Sequence, residues 1–162
     1  MPLHLQEAAQ SPVPLCIAEH AARGDHAVGL NENKEVTMAN VKLGTKAVGS
    51  IVKIKVNGAS KDFIVVQQGN PNTSTYDSSC NGTWLLMKDI YTTSTFGNDN
   101  SYKDSSIHTY LNGTFYNLID SNIRAAIKQV KIPYQNGTGS GGSLATGSNG
   151  LSTKVFLLSG YE

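Results

Sequence analysis

Charge is what this sequence has least of: Asp, Glu, Lys and Arg make up 15% of its 162 residues, well below the roughly 25% usual in soluble proteins. The formal net charge is +1. No stretch gathers Lys and Arg into the stripe that neutralises phosphates, so nucleic acid is not an expected partner. Cysteine is equally scarce: Cys16 and Cys80 are far apart in segments of different character, and that pattern indicates no disulfide framework. No apolar run approaches the ~20 residues that cross a bilayer, so no membrane span is expected. The opening residues, MPLHLQEAAQSPVPLC, lack the basic start and long apolar core of a signal peptide, which predicts synthesis in the cytoplasm.

The patterns of common site chemistry are missing too. His4, Cys16, His20 and His26 match no tight Cys/His zinc spacing. Asp99, Asp104 and the Asn residues between them do not follow the arrangement of a calcium loop. The glycine-rich stretch GTGSGGSLATGSNG is not followed by Gly-Lys-Ser/Thr, so it reads as a surface loop rather than a phosphate cradle. No metal and no cofactor are expected. Cys80 and His108, with Asp104 or Asp120, could be drawn as a Cys–His nucleophilic pair of a cell-wall amidase. Cys80 sits in a turn-rich stretch without a signature around it, so no catalytic residue is assigned and the hydrolase is the alternative reading.

Asn, Ser, Thr and Gly take the place of the missing charge. Their short polar groups keep a surface wet without long-range fields, a profile that suits secreted or virion β-proteins. The chain divides into two unequal parts. Residues 1–37 hold three of the four histidines, five acidic residues and two basic ones, while the rest holds seven and eleven. They carry no sustained helix or strand pattern, with at most a weak helix around Ala18–Arg23, and read as a poorly structured extension from a start mis-called upstream of Met38. Residues 38–162 read as one domain.

Within that domain, SIVKIKV alternates, Asn57-Gly58 offers a tight turn and KDFIVVQQ returns, predicting a hairpin around a four-residue loop, NGAS. A run of turn formers from Gly69 to Gly82 leads into TWLLMKDIY, read as a buried strand carrying Trp84 to Met87 and Ile90. Ile107, Tyr110 and Leu111 then fall at helical spacing, with Ser105 as N-cap and Gly113 as C-cap. Ile123, Ala126 and Ile127 mark a second short helix capped by Asp120 or Ser121. QVKIPY reads as a strand, residues 136–150 as a polar loop, and STKVFLLS as the last strand.

Three pieces, Trp84-Leu85-Leu86, Tyr110-Leu111-Asn112-Gly113 with Phe115-Tyr116, and Lys154-Val155-Phe156-Leu157-Leu158-Ser159, resemble a domain-of-unknown-function family of gut Firmicutes and their prophages. Similar proteins look C-type-lectin-like and continue with a Trp-Leu-Arg-Ser-Pro and a Gly-Val-Arg-Pro-Ala-Leu segment. The resemblance therefore implies that this chain is the front half of the family's domain, incomplete at its C-terminal end. It also implies a working place on a virion, or outside the cell after lysis.

The expected fold is α+β, antiparallel and β-rich with two short helices. The expected function is a non-catalytic binding or display module of a phage virion or bacterial surface protein, with a purely structural virion component as a further reading. Its ligand would be a carbohydrate or protein on a host surface. Aromatics stack on sugars and anchor interfaces. Trp84 and Phe115 read as core, which leaves Tyr76, Tyr91 and Tyr102 as candidate ligand-binding residues. The loops at Asn70–Asn81 and Asn136–Gly150 are the first places to look for a binding surface.

Overall fold

A hairpin organises the first half of the fold. Strands β2 (Ile51–Val56) and β3 (Ala59–Gln68) are joined by Asn57-Gly58, whose φ angles of 50° and 75° are those of a tight turn that matches strand twist. The loop is two residues, not the expected four, because Ala59 and Ser60 already pair with Val56 and Lys55. Only two residues are needed once Asn and Gly accept the left-handed conformation. The computed structural model describes residues 14–17, 43–94, 96, 101–136 and 142–158. The weak helix expected around 18–23, His4, His20, His26 and Asp99 lie outside them, as does the side chain of Cys16.

The hairpin extends into a four-stranded antiparallel sheet, in the order β1-β4-β3-β2, with β1 at Pro14–Ile17 and β4 at Thr83–Met87. β2 alternates strictly, burying Val52, Ile54 and Val56. A register shift between Val65 and Gln67 breaks the β3–β4 ladder, the geometry of a bulge. β4 buries Trp84, Leu85 and Met87 but stops there. Ile90, expected in this strand, is 50% exposed beyond it.

Ser105 caps the helical segment, its Oγ accepting from the N–H of His108 at 3.1 Å. The segment runs through α1 (Ser106–Tyr110), a π turn (Leu111–Phe115) and α2 (Tyr116–Leu118). It passes straight through Gly113, the expected C-cap. The buried row Ile107, Leu111, Phe115 and Ile119 explains why: burying one Phe contributes about 2 kcal/mol, more than the roughly 1 kcal/mol that a mid-helix glycine costs. α3 (Ser121–Ala126) follows at once, its N-cap Asp120 accepting from Asn122 N–H at 2.9 Å.

Two small antiparallel pairs complete the fold: β5 (Val130–Ile132) with β8 (Leu151–Thr153), and β6 (Tyr134–Asn136) with β7 (Ser143–Ala145). The single strand expected at QVKIPY is thus two, separated at Pro133, which has no N–H to donate to a ladder. The final strand is also displaced: it is Leu151–Thr153, and the buried Val155 and Phe156 lie beyond its ladder. Two apolar clusters result. One packs the sheet against the helical row; the other gathers Tyr76, Cys80, Trp84, Val130, Ile132 and Phe156. The architecture is α+β, with one main helical segment and antiparallel sheets. Among the described residues no helix is long and apolar enough to cross a membrane.

Candidate functional site

The two polar loops singled out by composition meet. The β3–β4 connection is a chain of Asx-type turns: Asn70 Oδ1 accepts from Asn72 N–H at 3.0 Å, and Asn72 Oδ1 accepts from Ser74 N–H at 3.0 Å. Asn70 Nδ2 donates to the Asp77 carbonyl at 2.9 Å. Asp77 Oδ1 accepts from Ser79 N–H at 2.9 Å; the hydrogen bonds from the Ser79 side chain and backbone hold its carboxyl below the usual carboxylate range.

This connection is stitched to the rest of the domain at defined points. Gly147 N–H, in the short helical turn before β8, donates to the Thr75 carbonyl at 2.9 Å. Lys131 of β5 donates its N–H to Ser79 Oγ at 3.0 Å and its ammonium to the Ser148 carbonyl at 2.9 Å. The Lys128 ammonium reaches the Asn81 carbonyl at 2.9 Å. Asn72, Thr73, Ser74, Ser148 and Asn149 remain exposed on this joined face. Beneath it lies an aromatic layer: Tyr76 meets Trp84 edge-on with centroids 5.5 Å apart, and Trp84 meets Phe156 likewise at 5.3 Å. Such a platform holds loops in one conformation, which reduces the ordering cost of binding.

The three candidate tyrosines occupy different settings. Tyr76 is 4% exposed. Tyr91 is half-buried, edge-on to Phe115 at 5.1 Å. Tyr102 is half-buried between Phe96 and His108, and its oxygen accepts from Leu157 N–H at 3.0 Å. Tyr91 and Tyr102 pack against the cluster between the sheet and the helical row, and Tyr102 also packs against the second cluster, of which Tyr76 is a member.

Cys80 and His108 also have separate partners. Cys80 Sγ donates to the Lys131 carbonyl at 3.2 Å, and burial pushes its thiol above the ordinary range. His108 Nδ1 lies 3.1 Å from the Lys103 carbonyl. A carbonyl can only accept, so Nδ1 carries the proton. Burial lowers the His108 pKa. Both shifts favour the neutral thiol and neutral imidazole, the opposite of the thiolate–imidazolium state of an activated nucleophile. Among the described residues no group of three or more His, Cys, Asp or Glu side chains could hold a metal ion.

One residue that local sequence signals did not single out by itself ties this half of the molecule together. Asn112, on the π turn, donates Nδ2 to the carbonyls of His108 and Val155 at 3.1 and 2.9 Å. Its Oδ1 accepts from Lys154 N–H, Thr153 Oγ and Val155 N–H at 2.8, 3.1 and 3.2 Å. It thereby docks the end of β8 onto the helical segment. The only pointer in the sequence was its place in the Tyr110-Leu111-Asn112-Gly113 piece.

Comparison with known proteins bears on this same half. No curated protein and no solved structure matches the chain. The family described as Domain of unknown function (DUF6273) matches residues 81–162, the stretch that contains β4, the helices, Asn112 and β5 to β8. This chain belongs to the DUF6273 family of domains of unknown function.

Proposed function

We propose that this chain is a non-catalytic binding or display module, C-type-lectin-like, of a phage virion or bacterial surface protein. Its ligand is a carbohydrate or protein on a host surface. The observation that carries this reading is the hydrogen bond from Gly147 N–H to the Thr75 carbonyl, 2.9 Å, which joins two polar loops distant in sequence into one face. Loops fixed on a rigid scaffold are where binding residues concentrate. The exposed side chains of the face are Asn, Ser and Thr, so recognition would run through their hydrogen bonds, the adaptable contacts typical of paratopes. In this reading Tyr91 and Tyr102 offer half-buried aromatic edges, and Tyr76 acts as the floor under the loop rather than as a contact.

The test is binding of the intact chain to a glycan panel and to bacterial surfaces, beside a loop variant carrying Thr73→Ala, Ser148→Ala and Asn149→Ala. All three side chains are exposed, so the fold should survive. Saturable binding that the triple variant loses by about tenfold or more supports the reading. Background signal on every surface, with the protein present in purified particles, would leave a structural virion component in its place.

A further inference from the structure

Away from the loop face, two cations converge on one tyrosine. Lys154 Nζ lies 4.5 Å from the centroid of the Tyr116 ring and 3.1 Å from its oxygen. Arg124 Cζ lies 5.9 Å from the same centroid. The Tyr116 hydroxyl donates to the Arg124 carbonyl at 3.3 Å, fixing the ring to α3. Lys154 is held independently through its N–H to Asn112 Oδ1. Each charge is therefore placed against the ring from its own element.

Neither cation is paired with a carboxylate among the described residues. Among the described residues the ion pair formed is Lys53–Asp62, on the β2–β3 hairpin. The ring's quadrupole attracts both cations, and the Tyr116 oxygen accepts from the Lys154 ammonium, but neither supplies a negative charge. Arg124 gives Nη1 to Asn117 Oδ1 at 2.9 Å, while its Nε is buried without a hydrogen-bond partner. The donors left over are Nε and Nη2, side by side on one edge of the guanidinium. That edge is the fork that takes two oxygens of a carboxylate or phosphoryl group. Arg124, Lys154 and Tyr116 are each only half-buried, and a ligand oxygen reaching Nε would require the guanidinium to turn.

We propose that Tyr116, Arg124 and Lys154 form a binding site for an oxyanion group, phosphoryl or carboxylate. The ligand oxygens bridge the guanidinium edge and the ammonium, and Tyr116 sets the spacing of the two. This site shares no residue with the loop face and stands whether or not that face binds a ligand.

The test is an NMR titration of the intact chain with sodium phosphate and, separately, sodium acetate, against sodium chloride at matched ionic strength. The expected result is a saturable shift of the Arg124 Nε–H resonance and the Lys154 amide, absent with chloride. Response to phosphate alone identifies a phosphoryl ligand; response to acetate, a carboxylate. Lys154→Met should weaken binding about tenfold or more. Arg124→Gln gives a second, independent loss should Lys154→Met disturb the fold. Shifts that chloride reproduces, no saturable shift, or unchanged affinity in the charge-removing variants would overturn the assignment.

Discussion

Asn112 and Val155 exchange hydrogen bonds in both directions: the side-chain amide donates to the Val155 carbonyl at 2.9 Å and accepts from the Val155 N–H at 3.2 Å. The side-chain amide thus pairs with Val155 much as a strand backbone would, in addition to the β-bridge at Val155. It helps to satisfy the backbone of Val155, which is fully buried two residues beyond the end of β8. A buried backbone needs its donors and acceptors met, by strand or otherwise.

Asn112→Ala is therefore expected to cost about 3 kcal/mol, since it leaves several partly buried backbone groups without partners. Asn112→Asp should cost a similar amount, because a carboxylate keeps the acceptor but cannot donate to the carbonyls of His108 and Val155. Chemical denaturation of the three proteins checks this. A loss below about 0.5 kcal/mol for both variants would mean that water replaces the side chain without penalty.

How legible the fold was in the sequence follows the range of the interactions. The β2–β3 hairpin was legible because alternation and Asn57-Gly58 are local signals; so were the caps Ser105 and Asp120, whose side chains bond within three residues. The exit of the main helix was not, because what carries it past Gly113 is the burial of Phe115 and Ile119 against a distant sheet. A four-residue strand such as Pro14–Ile17 is too short to show a period. The loop face was half legible: turn chemistry located both loops, but the Gly147–Thr75 bond that joins them crosses most of the domain. Lys154 and Tyr116 lie 38 residues apart, and nothing local announces their meeting.

Two glycines should respond oppositely to alanine. A Cβ on Gly150 would stand 2.7 Å from the Ile132 carbonyl oxygen, a backbone atom in the paired strand β5 that cannot step aside, so Gly150→Ala should destabilise by about 2 kcal/mol. A Cβ on Gly113 would meet nothing within 4 Å, and its helical backbone suits alanine. Gly113→Ala should therefore stabilise by about 0.5–1 kcal/mol. Urea midpoints of the two variants decide it, and equal shifts in the same direction would contradict the close approach at Gly150.

The Tyr102 hydroxyl fixes the residue after Phe156 by accepting from Leu157 N–H. Tyr102→Phe keeps the ring between Phe96 and His108 but removes that acceptor. Its expected cost is about 1 kcal/mol. Amide exchange at Leu157 should accelerate more than exchange in β2 and β3, whose ladders do not touch it. Uniform acceleration across the chain would show a global loss of stability instead of a local release.

His108 should make stability depend on pH in a defined direction. Its Nδ1–H is committed to the Lys103 carbonyl, and its Nε2 is buried without a hydrogen-bond partner. A second proton would thus create a buried charge with nothing to receive it. Burial lowers the folded pKa below the ordinary 6.5; the Lys103 carbonyl and Asp104 oppose that shift, in that order, without cancelling it. Above pH 6.5 neither the folded nor the unfolded chain protonates this ring, and the full stability is present. As the pH falls below 6.5 the unfolded chain takes up a proton that the folded chain refuses. Stability then declines until the lowered folded pKa is reached. Thermal midpoints at pH 7.5 and 5.5 should fall further for the parent chain than for His108→Gln, which removes this titration and leaves the other groups in place. An identical fall in both proteins would place the pH dependence elsewhere and show that the imidazole tolerates its second proton where it sits.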